Sequence, residues 1–174
     1  MIALLAEADL PALVGHIARH SRESGRDGDP IFRPRTTDAP IDEEATVERH
    51  RIGWAQAVAE PYWLRTWGAE VGGSIRGHLD LHGGRLPSES HRALLGMGVE
   101  RGFRGRGYGR ALLAAAIAWA RHAGLAWLDL GVFAHNHRAR ALYAAAGFIE
   151  VGTTRDRFRV DGVAIDDVAM TLAL

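Results

Sequence analysis

Glu100-Arg101-Gly102-Phe103-Arg104-Gly105-Arg106-Gly107-Tyr108-Gly109-Arg110 joins a strand-like run ending at Val99 to an alanine-rich run with helical spacing. Glycines at a strand-to-helix junction let the backbone turn its N–H groups inward and approach an anion closely, and the helix N-terminus adds partial positive charge. A pyrophosphate fits that description, and Arg101, Arg104, Arg106 and Arg110 can add charge-assisted bonds to further phosphates. The plain alternative is a Gly/Arg surface loop. Two other phosphate motifs fit poorly. A Walker loop needs Gly-Lys-Ser/Thr, and the chain has no lysine. A dinucleotide fingerprint needs a tight turn directly after the strand and a third small residue, where this chain has Arg110.

Working outward, the helix after Gly107 runs to about Gly124, and LAWLDLGV follows as a strand with Ala126, Leu128, Leu130 and Val132 on one face. Asn136 caps a further helix that closes at Gly147, and two strands flank the turn at Asp161-Gly162. Upstream, YWLRTWGAE, VGGSIRGHLDLHG and RALLGMGVE read as three strands. A helix is expected to open at Asp9 and another from Asp42 to about Ala59, separated by an irregular loop from Ser24 to Pro40. A short strand fits Ile2 to Leu5. The order predicts one α/β (α+β) domain over residues 1–174, a mixed sheet with helices on its faces.

Composition narrows the chemistry. There are 174 residues, 21 basic balanced by 21 acidic, and no cysteine. Thiol nucleophiles, acyl-cysteine intermediates, disulfides and Cys-zinc sites are excluded, and the lack of lysine excludes a Schiff base. Balanced charge gives no reason to expect nucleic acid. The N-terminus lacks a basic leader, and the apolar run from Ala111 to Ala120 is about half the roughly 20 residues a membrane span needs, so no membrane partner and a cytoplasmic location are expected.

Two motifs together resemble one family. Arg104-Gly105-Arg106-Gly107-Tyr108-Gly109 after a strand ending in Val is similar to the pyrophosphate-binding signature of the GNAT superfamily of acetyl-CoA-dependent N-acetyltransferases. Asn136-His137-Arg138-Ala139-Arg140-Ala141-Leu142-Tyr143-Ala144-Ala145-Ala146-Gly147-Phe148 resembles the family's N-x-x-A-x-x-L-Y-x-x-x-G-F pattern. The resemblance implies a mostly antiparallel twisted sheet with a splayed strand pair. It also implies an acetyl-CoA-binding core over about 62–172, acceptor-site helices and loop over about 9–59, and no metal. It assigns Met97, Val99, Arg104, Gly105, Arg106, Gly107, Tyr108, Gly109, Arg110, Asn136 and Tyr143 to the co-substrate. Backbone N–H at Met97 or Val99 would hold the oxyanion, and Tyr143 would protonate the departing thiolate. The implied reaction is direct transfer to a primary amine on a small molecule, peptide or protein, with a homodimer as the implied assembly. A non-catalytic acyl-CoA sensor of the same fold is the rival.

The attacking amine must lose a proton. Glu100 is the first candidate acceptor, because Gly96, Gly98 and Glu100 share one strand face that two missing side chains leave open. His78, His82 and His91, or an ordered-water relay, are alternatives. Asp42, Glu43, Glu44 and Glu48 give the second helix an acidic start that either compensates its dipole or attracts a cationic acceptor. Trp54, Trp63 and Trp67 either line an apolar pocket or belong to the core.

Overall fold

Alternation sorts the strands' side chains onto two faces of a single sheet, and helices of matching spacing cover both. The computed structural model describes all 174 residues. In chain order the elements are β1 (Ile2–Leu4), α1 (Leu10–Ser21), α2 (Glu43–Ala55), β2 (Leu64–Val71), β3 (Ser74–Gly83), β4 (Arg92–Val99), α3 (Tyr108–His122), β5 (Trp127–Phe133), α4 (His137–Ala145), β6 (Ile149–Val160) and β7 (Val163–Ala173). The sheet order is β1-β2-β3-β4-β5-β7-β6, antiparallel everywhere except between β4 and β5. The expected mixed, mostly antiparallel sheet is therefore present.

One face carries Trp67, Leu79, Leu81, Leu95, Leu128 and Leu130, all buried, against the Leu112, Leu113, Ala116, Ile117 and Ala120 stripe of α3. Trp63 and Trp67 both pack on Trp119 in this layer, so they belong to the core and not to a ligand pocket. Burying side chains of this size contributes about 1.5–3 kcal/mol each, which makes this layer the main source of stability. The opposite face, under α1 and α2, is more polar: His78 and Asp80 of β3 and Thr66 of β2 point that way. Trp54 of α2 donates its indole N–H to Thr66 Oγ1 at 3.1 Å, and the Thr66 hydroxyl donates to Asp80 at 2.7 Å.

Two expected helix boundaries shift. Helix α2 stops at Ala55, short of Ala59, because Gln56 is already extended, while Asp42 caps it as expected by accepting the Ala45 N–H at 2.9 Å. Asp9 precedes α1 but does not cap it; its carboxylate accepts the Ala6 N–H at 2.9 Å in a preceding single turn. The acidic start of α2 faces solvent: Glu43, Glu44 and Glu48 are exposed, and Glu48 pairs with Arg51 at 3.1 Å. None of the three lines the large cleft beside β4.

Candidate active site

In an antiparallel pair, residues alternate between exchanging hydrogen bonds with the neighbour and turning those groups to the other edge. The Glu100 N–H donates to the Arg76 carbonyl at 2.9 Å, which fixes the alternation along β4. Gly96 and Gly98 bond β3, whereas Met97 and Val99 direct N–H and C=O groups towards β5. Pairing between β4 and β5 covers only Arg92–Leu94 with Trp127–Asp129. Beyond Leu94 the two strands diverge, and Met97 and Val99 present their backbone to the gap. On the far side, Ala134 N–H donates to the Asp166 carbonyl at 2.9 Å, so by the same alternation Gly131 and Phe133 aim into the gap from β5. The result is a cleft of about 1710 Å³ running from α3 across the split to the α1 face.

At one end the cleft meets the glycine turn. Gly105 and Gly107 have φ of +76° and +87°, which L-residues with side chains rarely adopt. Gly107 is the N-cap of α3, and the first helical bond comes from Ala111 N–H to the Gly107 carbonyl at 3.0 Å. The N–H groups of Tyr108, Gly109 and Arg110 thus have no partner within the helix, the usual condition for anion binding. Gly105, Gly107, Tyr108, Gly109 and Arg110 all line the cleft.

The arginines divide into two pairs. Arg104 donates to the Val99 carbonyl at 2.8 Å, to Asp29 at 2.8 Å and to Glu23 at 2.7 Å. Arg101 binds Asp29 and Asp27 at 2.9 and 3.1 Å. These two guanidiniums clamp the loop after α1 onto the glycine turn, so the phosphate role expected of their side chains is taken up within the chain; what Arg104 offers the cleft is its backbone. Arg106 lies over the Phe103 ring, and Arg110 borders the cleft. Arg138, inside the second motif, also borders the cleft beside Gly105.

Asn136 and Tyr143 come from α4. The Asn136 side chain caps that helix by accepting the Ala139 N–H at 3.2 Å, and both residues line the cleft. Tyr143 is buried against Phe148, and burial pushes its phenol well above the usual range, so it stays protonated.

The α1 side holds residues that sequence reasoning assigned differently. Glu100 turns under α1 and does not line the cleft. Its carboxylate accepts from His16 Nδ1 at 2.9 Å, Arg19 Nε at 3.0 Å and Arg76 Nη1 at 3.1 Å. Against the cost of burial, these three donors hold its pKa below the ordinary carboxylate value. Its oxygens are taken up by these donors and lie outside the cleft, inside which the expected role of proton acceptor would have placed them. His78 is also spent: its Nδ1 meets His16 Nε2 at 2.9 Å, and burial lowers its pKa to about 4. His82 and His91 lie outside the cleft.

Two residues not considered from sequence do line it. His20, one turn after His16 on α1, has its ring between Phe32 (centroids 4.6 Å apart) and His16 (5.9 Å). Asp167 of β7 lies under Gly131, with Arg157 as its ion-pair partner at 3.4 Å, and burial raises its pKa. The i, i+4 spacing of His16 and His20 was the one local signal for the first; nothing local marked the second. The loop after α1 roofs the cleft, held by the arginine clamp, by His135 Nε2 to the Ile31 carbonyl at 2.7 Å and by Thr37 N–H to Asp161 at 3.0 Å.

Comparison with known proteins agrees with this architecture. The family model described as Acetyltransferase (GNAT) family matches residues 30–148. The N-alpha-acetyltransferase RimI of Mycobacterium tuberculosis is 36% identical over 96 residues, 55% of this chain and 58% of that protein. The chain spans about half the length of the curated relatives it matches, 49% and 58%. Among solved structures, the ribosomal-protein-alanine N-acetyltransferase from Brucella melitensis superposes with a TM-score of 0.79 at 26% identity, covering 100% of this chain and 99% of that one. YncA, a putative acetyltransferase from Salmonella typhimurium solved with acetyl-CoA, shares the fold at a TM-score of 0.81 and 18% identity, over 100% of this chain and 93% of that one. A split β4–β5 pair feeding a glycine turn, Tyr143 of α4 at the cleft and a family match over two-thirds of the sequence lead to one conclusion: the chain belongs to the GNAT acetyltransferase family.

Proposed function

We propose that this protein transfers the acetyl group of acetyl-CoA directly to a primary amine. The observation that carries the reading is the divergence of β4 from β5 after Leu94, which leaves the Met97 backbone groups and the Val99 N–H without a strand partner, the Val99 carbonyl being held by Arg104, and leads that edge into the Gly105–Gly107 turn. An extended pantetheine amide chain matches such an edge, and a pyrophosphate matches the N–H groups at the start of α3, with Arg110 and Arg138 beside it. Acetyl-CoA supplies the activated thioester. The Met97 or Val99 N–H stabilises negative charge on the acetyl oxygen as the amine adds. The Tyr143 phenol, kept protonated by burial, gives its proton to the departing sulfur. With no cysteine in the chain, the amine attacks the thioester without a thiol relay. Asp167, a carboxylate of raised pKa on the acceptor side, receives the positive charge of the incoming amine.

The acceptor class is supported at a coarser level. The RimI relative and the Brucella structure are named for N-alpha and ribosomal-protein-alanine acetylation, which favours the free N-terminus of a peptide or protein for this chain, with small amines as the second class to test. The experiment is calorimetric titration with acetyl-CoA, followed by thiol release against peptides with free N-termini, lysine peptides, polyamines, amino acids and aminoglycosides. Binding with release on one amine class is expected. Failure of acetyl-CoA to bind overturns the reading.

A further inference from the structure

We propose that His20 is the catalytic proton acceptor for the attacking amine, delivered to β4 by α1 and fitted against Gly98. This inference rests on the acetyl-transfer reading and adds to it the residue that the reading leaves open.

Three observations carry it. First, both ring nitrogens of His20 lack a hydrogen-bond partner within the chain, unlike those of its neighbours: His16 is bonded on both nitrogens, to Glu100 and His78, and His78 is bonded to His16. Second, the ring is held in place by Phe32, stacked with centroids 4.6 Å apart, and by the near-parallel His16 ring at 5.9 Å, and it borders the cleft. Third, the ring edge abuts Gly98. A Cβ at position 98 would lie 2.4, 2.7 and 3.0 Å from His20 Cε1, Nδ1 and Nε2. Gly98 sits between Met97 and Val99, whose N–H groups flank the thioester in the proposed mode. A missing side chain on β4 thus brings a free imidazole edge to the one stretch of backbone where the amine must attack.

The surroundings keep that imidazole neutral before the reaction, and its acceptor role rests on the position of its unpartnered nitrogens. Burial first, then the neighbouring His78, His16, Arg104 and Arg33, hold its pKa well below the ordinary histidine value. The Glu100–His16–His78 chain does not touch the cleft; it locks α1 against β3 and β4 one turn away, which makes those residues positioning groups for His20. In the step itself, the amine lone pair forms the N–C bond to the acetyl carbon and the C–S bond breaks. His20 takes the proton released by nitrogen, the thiolate takes one from Tyr143, and solvent returns a proton from the imidazolium to the phenolate.

The test uses bromoacetyl-CoA as an acceptor-independent probe. An imidazole nitrogen in the attack position displaces bromide from the bromoacetyl carbon, forming an N–C bond and releasing a proton to water, and peptide mass spectrometry reads the site. The adduct is expected on His20, and absent in His20→Gln and in Gly98→Ala, whose added Cβ displaces the ring edge without removing it. With an amine that the wild type acetylates, His20→Gln is expected to lower kcat by about 10²-fold or more, with the Kd for acetyl-CoA unchanged. Alkylation at another residue, or full transfer by His20→Gln, overturns the assignment while leaving acetyl transfer intact. Failure of both acetyl-CoA and bromoacetyl-CoA to bind overturns the acetyl-transfer reading and the role of His20 with it.

Discussion

The two flanks of the cleft are built from different materials. The α3 flank is backbone: unpaired N–H groups of β4, two left-handed glycines and a helix N-terminus, all within residues 96–110. The other flank is side chain: His20 borders the cleft with the His16–His78–Glu100 chain behind it, and Asp167 of β7 borders it separately, so residues from four elements spread over nearly the whole chain are placed only by folding. A backbone site is fixed by local residue type and order. A side-chain cluster is fixed by register and by which helix lies on which strand. In the proposed reaction the contiguous flank holds the co-substrate and the dispersed one meets the acceptor, so substitutions on the two flanks should separate in what they change.

Tyr143→Phe is the strongest test that chemistry and co-substrate binding separate. The phenol is buried, makes no hydrogen bond within the chain and borders the cleft, so its removal costs little packing. Loss of a general acid is worth about 10²-fold in kcat at the low end of the usual range. Steady-state kinetics should show that fall, while calorimetry gives an unchanged Kd for acetyl-CoA. A kcat within about threefold of wild type would remove the phenol from the proton path.

Gly107→Val probes the backbone flank alone. Its φ of +87° puts a side chain in a region that costs an L-residue about 1–2 kcal/mol, more for a β-branched one. Nothing lies within 4 Å of the added Cβ, so the penalty is conformational and not steric. The α3 N-terminus should shift or fray, and Kd for acetyl-CoA should rise about tenfold. An unchanged Kd would mean that the N–H groups at the start of α3 do not hold the co-substrate. Asp167→Asn makes the matching probe of the other flank. It keeps the shape and removes the charge, and a rise of about fivefold in KM for a cationic amine is expected on the scale of a partly exposed ion pair, about 1 kcal/mol. The KM for acetyl-CoA should not move.

This contrast also explains what could be read before the fold was known. The strand order, the α3 start at Gly107, the Asn136 cap and the Asp161-Gly162 turn follow from spacing and turn chemistry, and each lies where local rules put it. Met97 and Val99 came from the family resemblance and not from a local rule; the strand pairing adds that their backbone turns towards the gap. Glu100 was not legible. Counting alternation from Gly98 correctly assigned it to the open face, but nothing local indicated that α1 would cover that position with His16 and Arg19. His20 stayed hidden for the converse reason: a histidine on a helix acquires meaning only through the strand it crosses, and the glycine that admits it is 78 positions away.

Glu100→Gln tests the assignment of this residue to structure, with the smallest expected effect on turnover. The folded-state pKa of Glu100 is lowered, so its charge stabilises the fold above the unfolded value of about 4.3, and that contribution is lost as pH falls through the folded value. Glutamine keeps an oxygen for His16 Nδ1 but leaves Arg19 and Arg76 without their anion. At pH 7 the variant should unfold about 1–3 kcal/mol more easily, the range for a lost charge-assisted network with one well-exposed partner. As pH falls below the unfolded value the wild type begins to lose this advantage, and past the lowered folded value it has surrendered the same charge, so the two denaturation curves should converge in acid. Turnover at pH 7 should stay within about threefold, because the carboxylate touches neither substrate; a loss of about 10²-fold with the fold intact would return Glu100 to the role of general base. The histidines add a separate slope. His16, His20 and His78 all have lowered folded-state values, so both proteins should lose stability as pH drops below about 6.5, with His78 continuing to contribute until about 4. The two proteins differ above the carboxylate range and converge below it, which makes the difference between the two pH profiles, and not either profile alone, the measure of what Glu100 does.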